Sequence, residues 1–144
     1  MKLQQLSLFL ENKPGTLYAP VRALAAAGVN LLSVSLADTS QFGILRVIVA
    51  DPERAMAVLG AAGMVARVTE VVPIEVADGP GGLAAALAAI EAAGLAVEYM
   101  YLSGGAGRPG TVAIIFRFED PDAALAALGR AGIRVLSREE LLPS

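Results

Sequence analysis

Residues 11–20, ENKPGTLYAP, decide the fold, because the Pro-Gly pair that they place between a strand and a helix occurs again in residues 77–86, ADGPGGLAAA. Two pairs of markers are each 66 residues apart: Pro14, Gly15 with Pro80, Gly81, and the AAG triplets that end at Gly28 and Gly94. Self-similarity at a fixed spacing indicates a repeated structural unit. The chain is therefore predicted to contain two copies of one fold.

The spacing grows to 69 residues in the later part of each copy. The markers there are Asp51, Pro52 with Asp120, Pro121, and Ala62, Gly63 with Ala131, Gly132. The three additional residues fall at a predicted hairpin tip, where the first copy has ADTSQFG, residues 37–43, and the second has SGGAGRPG, residues 103–110. A loop tip tolerates a change of length well, so the insertion is compatible with a duplication.

Each copy is predicted to run strand, helix, strand, strand, helix, strand. The first copy has these elements at residues 3–10, 16–27, 30–37, 43–50, 51–63 and 65–71, and the second at 71–77, 82–93, 96–103, 111–118, after Asp120, and at 133–137. Asp51 and Asp120 are predicted helix caps, and Ser137 is predicted to cap a short terminal helix. The prediction is an α+β fold of two ferredoxin-like βαββαβ units, residues 1–71 and 72–144, each an antiparallel sheet with helices on one face.

Alternation along the strands assigns the two faces of each sheet. The residues predicted to face the helices are Leu6, Leu8, Leu10, Leu32, Val34, Leu36, Leu45, Val47 and Val49 in the first copy and Val112, Ile114, Phe116 and Phe118 in the second. The opposite face of the second copy carries Tyr99, Tyr101, Ile115 and Arg117. We expect that face to pack on the other copy or on a second chain, and scattered surface apolar residues are the alternative.

Composition excludes several kinds of chemistry. The chain has no cysteine and no histidine, which removes disulfides, thiolate nucleophiles, soft metal sites and imidazole acid/base catalysis. Its 11 basic and 14 acidic residues argue against nucleic-acid and anionic-lipid partners. The acidic residues fit helix starts and loop edges better than a catalytic pair. We therefore expect no enzyme activity, no metal and no cofactor.

Other readings of the fold and its loops are also disfavoured. An RNA-recognition module needs strand aromatics on a basic surface, and a metal chaperone of this fold needs paired cysteines. The glycine-rich residues 103–110 lack the Lys and Ser/Thr with which a phosphate loop ends, and they precede a strand instead of a helix. A hairpin connection is therefore favoured, and Arg108 is kept as a possible ligand contact. The N-terminus does not resemble a signal peptide, and residues 81–97 are too short to span a bilayer. A soluble, cytoplasmic protein is expected.

The two Pro-Gly loops are the candidate ligand sites. In each, a short polar residue, Asn12 or Asp78, precedes the Pro-Gly pair, and a helix follows. Proline presets the turn, and glycine permits an unusual dihedral and a close approach by another molecule. Exposed N–H groups at the start of the helix can hold a carboxylate, and the Asn12 amide can hold a further polar group. A purely structural turn is the alternative.

These motifs resemble the ACT domain family, small regulatory modules that bind amino acids. The resemblance rests on NKPGTL and AAAGVNLLSVS in the first copy and on DGPGGL and EAAGLAVEYMY in the second, so it covers nearly the whole chain. It implies ligand contacts at these positions: Asn12, Lys13, Pro14, Gly15, Thr16, Leu17, Val29, Asn30, Leu31, Asp78, Gly79, Pro80, Gly81, Gly82 and Leu83. Ala96 stands where the first copy has Asn30, so the first copy is the better candidate.

The resemblance also implies a function. A chain made of two ACT units is expected to be a stand-alone, non-catalytic regulatory protein that senses an amino acid or a similar small molecule. It is expected to form a homodimer and to pass the signal to a separate metabolic enzyme as an allosteric regulator. The alternative is a structural module that assembles with such an enzyme without binding any ligand.

Overall fold

The computed structural model of the chain describes residues 2–38, 41–103 and 108–142. These residues form six strands and five helices: β1 (Leu3–Glu11), α1 (Tyr18–Ala26), β2 (Leu31–Asp38), β3 (Phe42–Val49), α2 (Pro52–Ala61), β4 (Ala66–Ala77), α3 (Gly82–Ala92), β5 (Val97–Ser103), β6 (Thr111–Phe118), α4 (Pro121–Arg130) and α5 (Arg138–Leu141). The tips of both predicted hairpins lie partly outside the described residues. The α+β class and the tandem ferredoxin-like plan are confirmed, except for the last strand of the second copy.

The N-terminal unit, Gln4–Thr69, has the strand order β2-β3-β1-β4. Strand β3 is antiparallel to both of its neighbours, so that Leu45 pairs with Leu8 on one side and with Leu36 on the other. Leu8 and Leu45 belong to a buried cluster with Leu24 of α1 and Leu59 of α2. The leucines of one sheet face and the apolar stripes of the two helices therefore make this unit's core.

The C-terminal unit comprises Met1–Leu3 and Glu70–Ser144 and has the strand order β4-β6-β5. Its core repeats the first one, with Ile74, Phe116 and Phe118 packed against Ile90 of α3 and Leu128 of α4. The rings of Phe116 and Phe118 are stacked with centroids 5.7 Å apart. The same pattern of buried residues at corresponding places explains why the repeat is visible in the sequence.

The strand predicted over residues 133–137 is wrong. Val135 forms only an isolated bridge to Ile74, flanked by hydrogen bonds from the Glu75 N–H to the Arg134 carbonyl and from the Leu136 N–H to the Pro73 carbonyl. The next residue, Ser137, already caps α5 in a capping box with Glu140, as predicted for its cap. The helix start ends the ladder after one pair, because a capping residue cannot also continue the strand.

The predicted boundary at residue 71 falls inside β4. One continuous strand replaces the two strands predicted on either side of it, and the division between the units falls between Thr69 and Glu70. The apolar residues Val71 and Val72, both fully buried, leave no turn signal between the two predicted strands.

The predicted faces hold with one correction. A register shift between Leu31 and Ser33 brings Leu31 onto the core in place of Leu32. Val34 pairs with Val47 on the helix-facing side as predicted, but it is 56% exposed because β2 is an edge strand. On the other face of the second unit, Ile115 is fully buried.

The predicted helix caps are present. The Asp51 carboxylate accepts a hydrogen bond from the Arg54 N–H, and the Asp120 carboxylate accepts one from the Ala123 N–H, both at 3.1 Å. Each aspartate is followed by a proline at the first helical turn, which favours the start of the helix there. Among the described residues, no helix is long and apolar enough to cross a membrane.

Candidate functional site

The first Pro-Gly loop is a closed turn between β1 and α1. Gly15 has φ +92°, a backbone conformation that favours glycine, and a side chain added there would meet open space. The Thr16 hydroxyl donates a hydrogen bond that is shared by two carbonyl oxygens, at 2.6 Å from that of Glu11 and 2.9 Å from that of Lys13. These bonds hold residues 11–16 as a turn, which explains why α1 begins at Tyr18 and not at the predicted Thr16.

The two helices that follow Pro-Gly loops differ from the other two long helices at their N-termini. Helices α2 and α4 are capped by aspartate side chains, whereas α1 and α3 have no side-chain cap. The first N–H groups of any helix lack partners within the helix and carry the positive end of its dipole. At the starts of α1 and α3, no side-chain cap occupies the place where an external carboxylate could bind.

A cavity of about 400 Å³ lies against the first loop. Its lining residues are Leu10, Glu11, Asn12, Lys13, Pro14, Gly15, Thr16, Leu17, Leu36 and Gly43. All six loop residues predicted as ligand contacts, Asn12 to Leu17, are thus brought together around one space. The volume lies in the range of small-molecule sites.

Charged and polar groups of the loop lie at this cavity. The Lys13 ammonium and the Glu11 carboxylate form an ion pair at 3.0 Å, and both side chains are exposed. The Asn12 N–H donates to the Gln41 carbonyl at 3.0 Å, and the exposed Asn12 side chain adds an amide to the lining. The site therefore offers a cation, an anion and an amide within one turn, a set that matches a zwitterion.

The predicted residues after α1 lie elsewhere. The Val29 side chain is buried in the core, Leu31 packs against that core, and the Asn30 carbonyl accepts a hydrogen bond from the Ala50 N–H at 3.1 Å. None of the three is among the described residues that line the cavity. Their assignment to ligand binding stays a prediction from the resemblance.

The second Pro-Gly loop is built differently. Gly81 has φ +84° and matches Gly15, but a side-chain carbon at Gly82 would lie 2.0 Å from the Ala77 carbonyl oxygen. The corresponding position of the first loop is Thr16, whose hydroxyl donates to the corresponding carbonyl of Glu11. The remaining predicted residues Asp78, Gly79 and Pro80 are exposed, and Leu83 packs against the core. Of these six positions, only Gly82 lines the neighbouring cavity of about 340 Å³.

An ion-pair network borders that second cavity. The Glu75 side chain, only 4% exposed, accepts hydrogen bonds from Arg108 and Arg134, and Arg134 also contacts Glu140 of α5. Hydrogen bonds from Arg108 lower the pKa of the Glu75 carboxyl below its usual value, although loss of solvent around the carboxyl opposes the shift. Arg108, considered as a ligand contact from the sequence, is thus engaged by a carboxylate of its own chain.

Four cavity-lining residues were not predicted: Leu10, Glu11, Leu36 and Gly43. Leu10 and Leu36 were assigned to the helix-facing side of the sheet, but no pattern in the sequence shows that they lie beside the loop. Gly43 carries a usable signal, because a glycine in a strand often marks a place where another group approaches closely, as the Leu36 side chain does here.

The sequence model described as an ACT domain pair matches residues 1–141 of the chain. The solved structure of protein BT0572 from Bacteroides thetaiotaomicron is similar, with 33% sequence identity over 98% of this chain and 96% of that chain and a TM-score of 0.89. A comparison with curated proteins gives no match.

Two more distant structures share the fold. The regulatory subunit of aspartate kinase from Thermus thermophilus, in its ligand-free form, is 17% identical over 89% of this chain and 91% of its own, with a TM-score of 0.62. The corresponding subunit from Thermus flavus is 18% identical over 91% and 92%, with a TM-score of 0.61.

Proposed function

Because the chain belongs to the ACT domain pair family, a regulatory family, we propose that it is a non-catalytic regulator that binds an amino acid at the Pro-Gly loop of its N-terminal unit. The observation that carries this proposal is the cavity against that loop, which all six residues from Asn12 to Leu17 line. The regulatory subunits of aspartate kinase are distant relatives in structure, and their similarity to this chain shows the fold alone. The proposal of an amino-acid ligand rests on the cavity.

The loop supplies a partner for each end of an amino acid. The uncapped N-terminus of α1 and the Lys13 ammonium would hold the carboxylate, because both present positive charge at the cavity. The Glu11 carboxylate, now paired with Lys13, would accept the ligand's ammonium group, and the Asn12 amide would add a hydrogen bond. A zwitterion would thus replace one exposed ion pair by two.

The test is calorimetric titration of the protein with each of the twenty amino acids at millimolar concentration. Gly15→Ala would strain the turn at φ +92°, and we expect it to weaken binding at least about tenfold, since alanine is disfavoured there. Gly81→Ala is the matched control, because it strains the second loop at φ +84° without touching the first cavity. The proposal fails if no amino acid binds or if the two variants lose affinity equally.

The other residues implied by the resemblance are tested separately. Asn30→Ala, which leaves the Asn30 carbonyl in place, measures whether that side chain contacts the ligand. Asp78→Ala measures whether the second loop contacts the ligand, because the exposed Asp78 corresponds to Asn12 in the repeat. Unchanged affinity in both variants would restrict the site to the first loop.

The second candidate function is assembly with a separate metabolic enzyme without a ligand. Exposed apolar residues on the helix-facing side of the two edge strands favour it, namely Val34 and Leu36 on β2 and Met100 and Leu102 on β5. Apolar residues on a sheet edge mark a surface that pairs with another chain. We propose that these edge strands mediate a homodimer and that the enzyme partner of the regulator is cytoplasmic. Co-purification with an enzyme in the absence of amino-acid binding would favour this alternative.

A further inference from the structure

Thr16 ties the two charged residues of the first loop to each other. Its hydroxyl donates one hydrogen bond that the carbonyl oxygens of Glu11 and Lys13 share, at 2.6 Å and 2.9 Å. The Lys13 N–H also donates to the Glu11 carbonyl at 2.9 Å, and the Thr16 N–H donates to the Lys13 carbonyl at 3.4 Å. The threonine therefore fixes how the end of β1 lies relative to the start of α1.

The same hydrogen bonds set the places of the charged side chains at the cavity. Glu11 and Lys13 both line the cavity, and their side chains form an ion pair at 3.0 Å. A hydroxyl has a single hydrogen to donate, and that of Thr16 is used within the loop. Thr16 therefore acts on a ligand through the positions of Glu11 and Lys13.

The second loop is closed in a different way. At the repeat spacing of 66 residues, Gly82 stands at the place of Thr16 and Ala77 at the place of Glu11. A side-chain carbon at Gly82 would lie 2.0 Å from the Ala77 carbonyl oxygen, closer than real side-chain carbons come. The backbone of the second loop would therefore have to move to accept a threonine at this position.

We propose, on the basis of the proposed function, that Thr16 is a positioning residue of the amino-acid site and that it makes the first Pro-Gly loop the binding loop. The shared hydrogen bond holds the backbone of Glu11 and Lys13 in the turn that presents both charged side chains to one ligand. Binding then costs less conformational freedom, because the loop is already ordered when the ligand arrives. All amino acids carry the same two charged ends, so loss of the hydroxyl weakens the binding of each by a similar factor.

The experiment is calorimetric titration of three variants with the twenty amino acids, after circular dichroism has confirmed that each variant is folded. Thr16→Val keeps the shape of the side chain without its hydroxyl, and we expect affinity to fall about tenfold. Thr16→Gly copies the second loop and should lose at least as much affinity. Thr16→Ser keeps the hydroxyl and should bind within about threefold of the unaltered protein.

The matched control is Thr111→Val in the C-terminal unit. The Thr111 hydroxyl donates to the Arg108 carbonyl at 2.6 Å, so this variant removes a hydrogen bond of the same kind. Thr111 does not line the first cavity, and amino-acid affinity should be unchanged. An equal loss of affinity in Thr111→Val and Thr16→Val would overturn the inference, because a general loss of stability would then explain both.

A positioning role also requires that the ratio of affinities between any two amino acids stays the same in Thr16→Val. Unchanged affinity in Thr16→Val, equal losses in Thr16→Val and Thr16→Ser, or a changed ratio would overturn this inference and leave the proposed function intact. Absence of binding by any amino acid to the unaltered protein would overturn both.

Discussion

Among the described glycines, Gly82 is the one where an added side chain would meet the backbone most closely. A side-chain carbon there would lie 2.0 Å from the Ala77 carbonyl oxygen, which is a backbone atom and cannot rotate away. The sequence places a glycine at this position but gives no reason to prefer it over the threonine at the corresponding Thr16. Only the distance between the helix start and the end of β4 supplies that reason.

Replacement of Gly82 by alanine should therefore destabilise the C-terminal unit by about 2 kcal/mol or more, because the backbone must shift to relieve the contact. Urea unfolding, followed by circular dichroism, measures the change in midpoint. Gly79→Ala is the control, since a side chain there meets nothing within 4 Å. Equal midpoints for the two variants would contradict the predicted clash.

Among the elements, the strands and helices of both units could largely be predicted from the sequence. Strand β6 has the predicted bounds, since alternation of core and opposite-face residues is unbroken from Thr111 to Phe118. Residues 133–137 have a similar apolar pattern but form one bridge, because the capping box at Ser137 competes for the same residues. Local pattern identifies an element well where no second signal overlaps it.

The ion-pair network around Glu75 connects β4 to residues of three other segments of the C-terminal unit. Arg108 precedes β6, Arg134 follows α4, and Arg134 also contacts Glu140 of α5. These contacts bring together residues that are far apart in the sequence, so no local pattern predicts them.

The lowered pKa of Glu75 makes this network sensitive to acid. A carboxyl with a lower pKa in the folded state contributes stability above its usual pKa of 4.5, and that contribution is lost as the pH falls through the folded-state value. We expect the free energy of unfolding of the unaltered protein to fall more between about pH 7 and about pH 3 than that of Glu75→Gln. Urea unfolding across this range tests it, and parallel pH profiles of the two proteins would refute the expectation.

For the molecule as a whole, the edge strands β2 and β5 are the candidate surfaces for association with another chain. Val34 is 56% exposed and Leu102 is 62% exposed, and both lie on the helix-facing side of the sheet in their own unit. Apolar side chains on an edge favour association with another chain, whereas a lysine on an edge strand opposes it.

We expect the protein to be a dimer in solution and Val34→Lys to shift it toward the monomer, since an ammonium group would be buried at the contact. Sedimentation velocity measures the distribution. Val68→Lys is a control outside the edge strands, because Val68 lies on β4 and is 47% exposed. A monomeric unaltered protein, or a dimer that persists in Val34→Lys, would contradict the expectation.

Sequence patterns alone were enough to predict the duplicated βαββαβ plan, the helix caps and the position of both Pro-Gly loops. Each of these depends on residues close together in the chain, and the repeat spacing adds one long-range constraint. Only packing brings all six residues of the first loop around one cavity, whereas of the second loop only Gly82 lines the neighbouring one. The first cavity depends on strand register, which brings Leu10, Leu36 and Gly43 of three different strands beside the loop. Space between side chains from separate strands is a property of their packing, and no single segment of the chain encodes it.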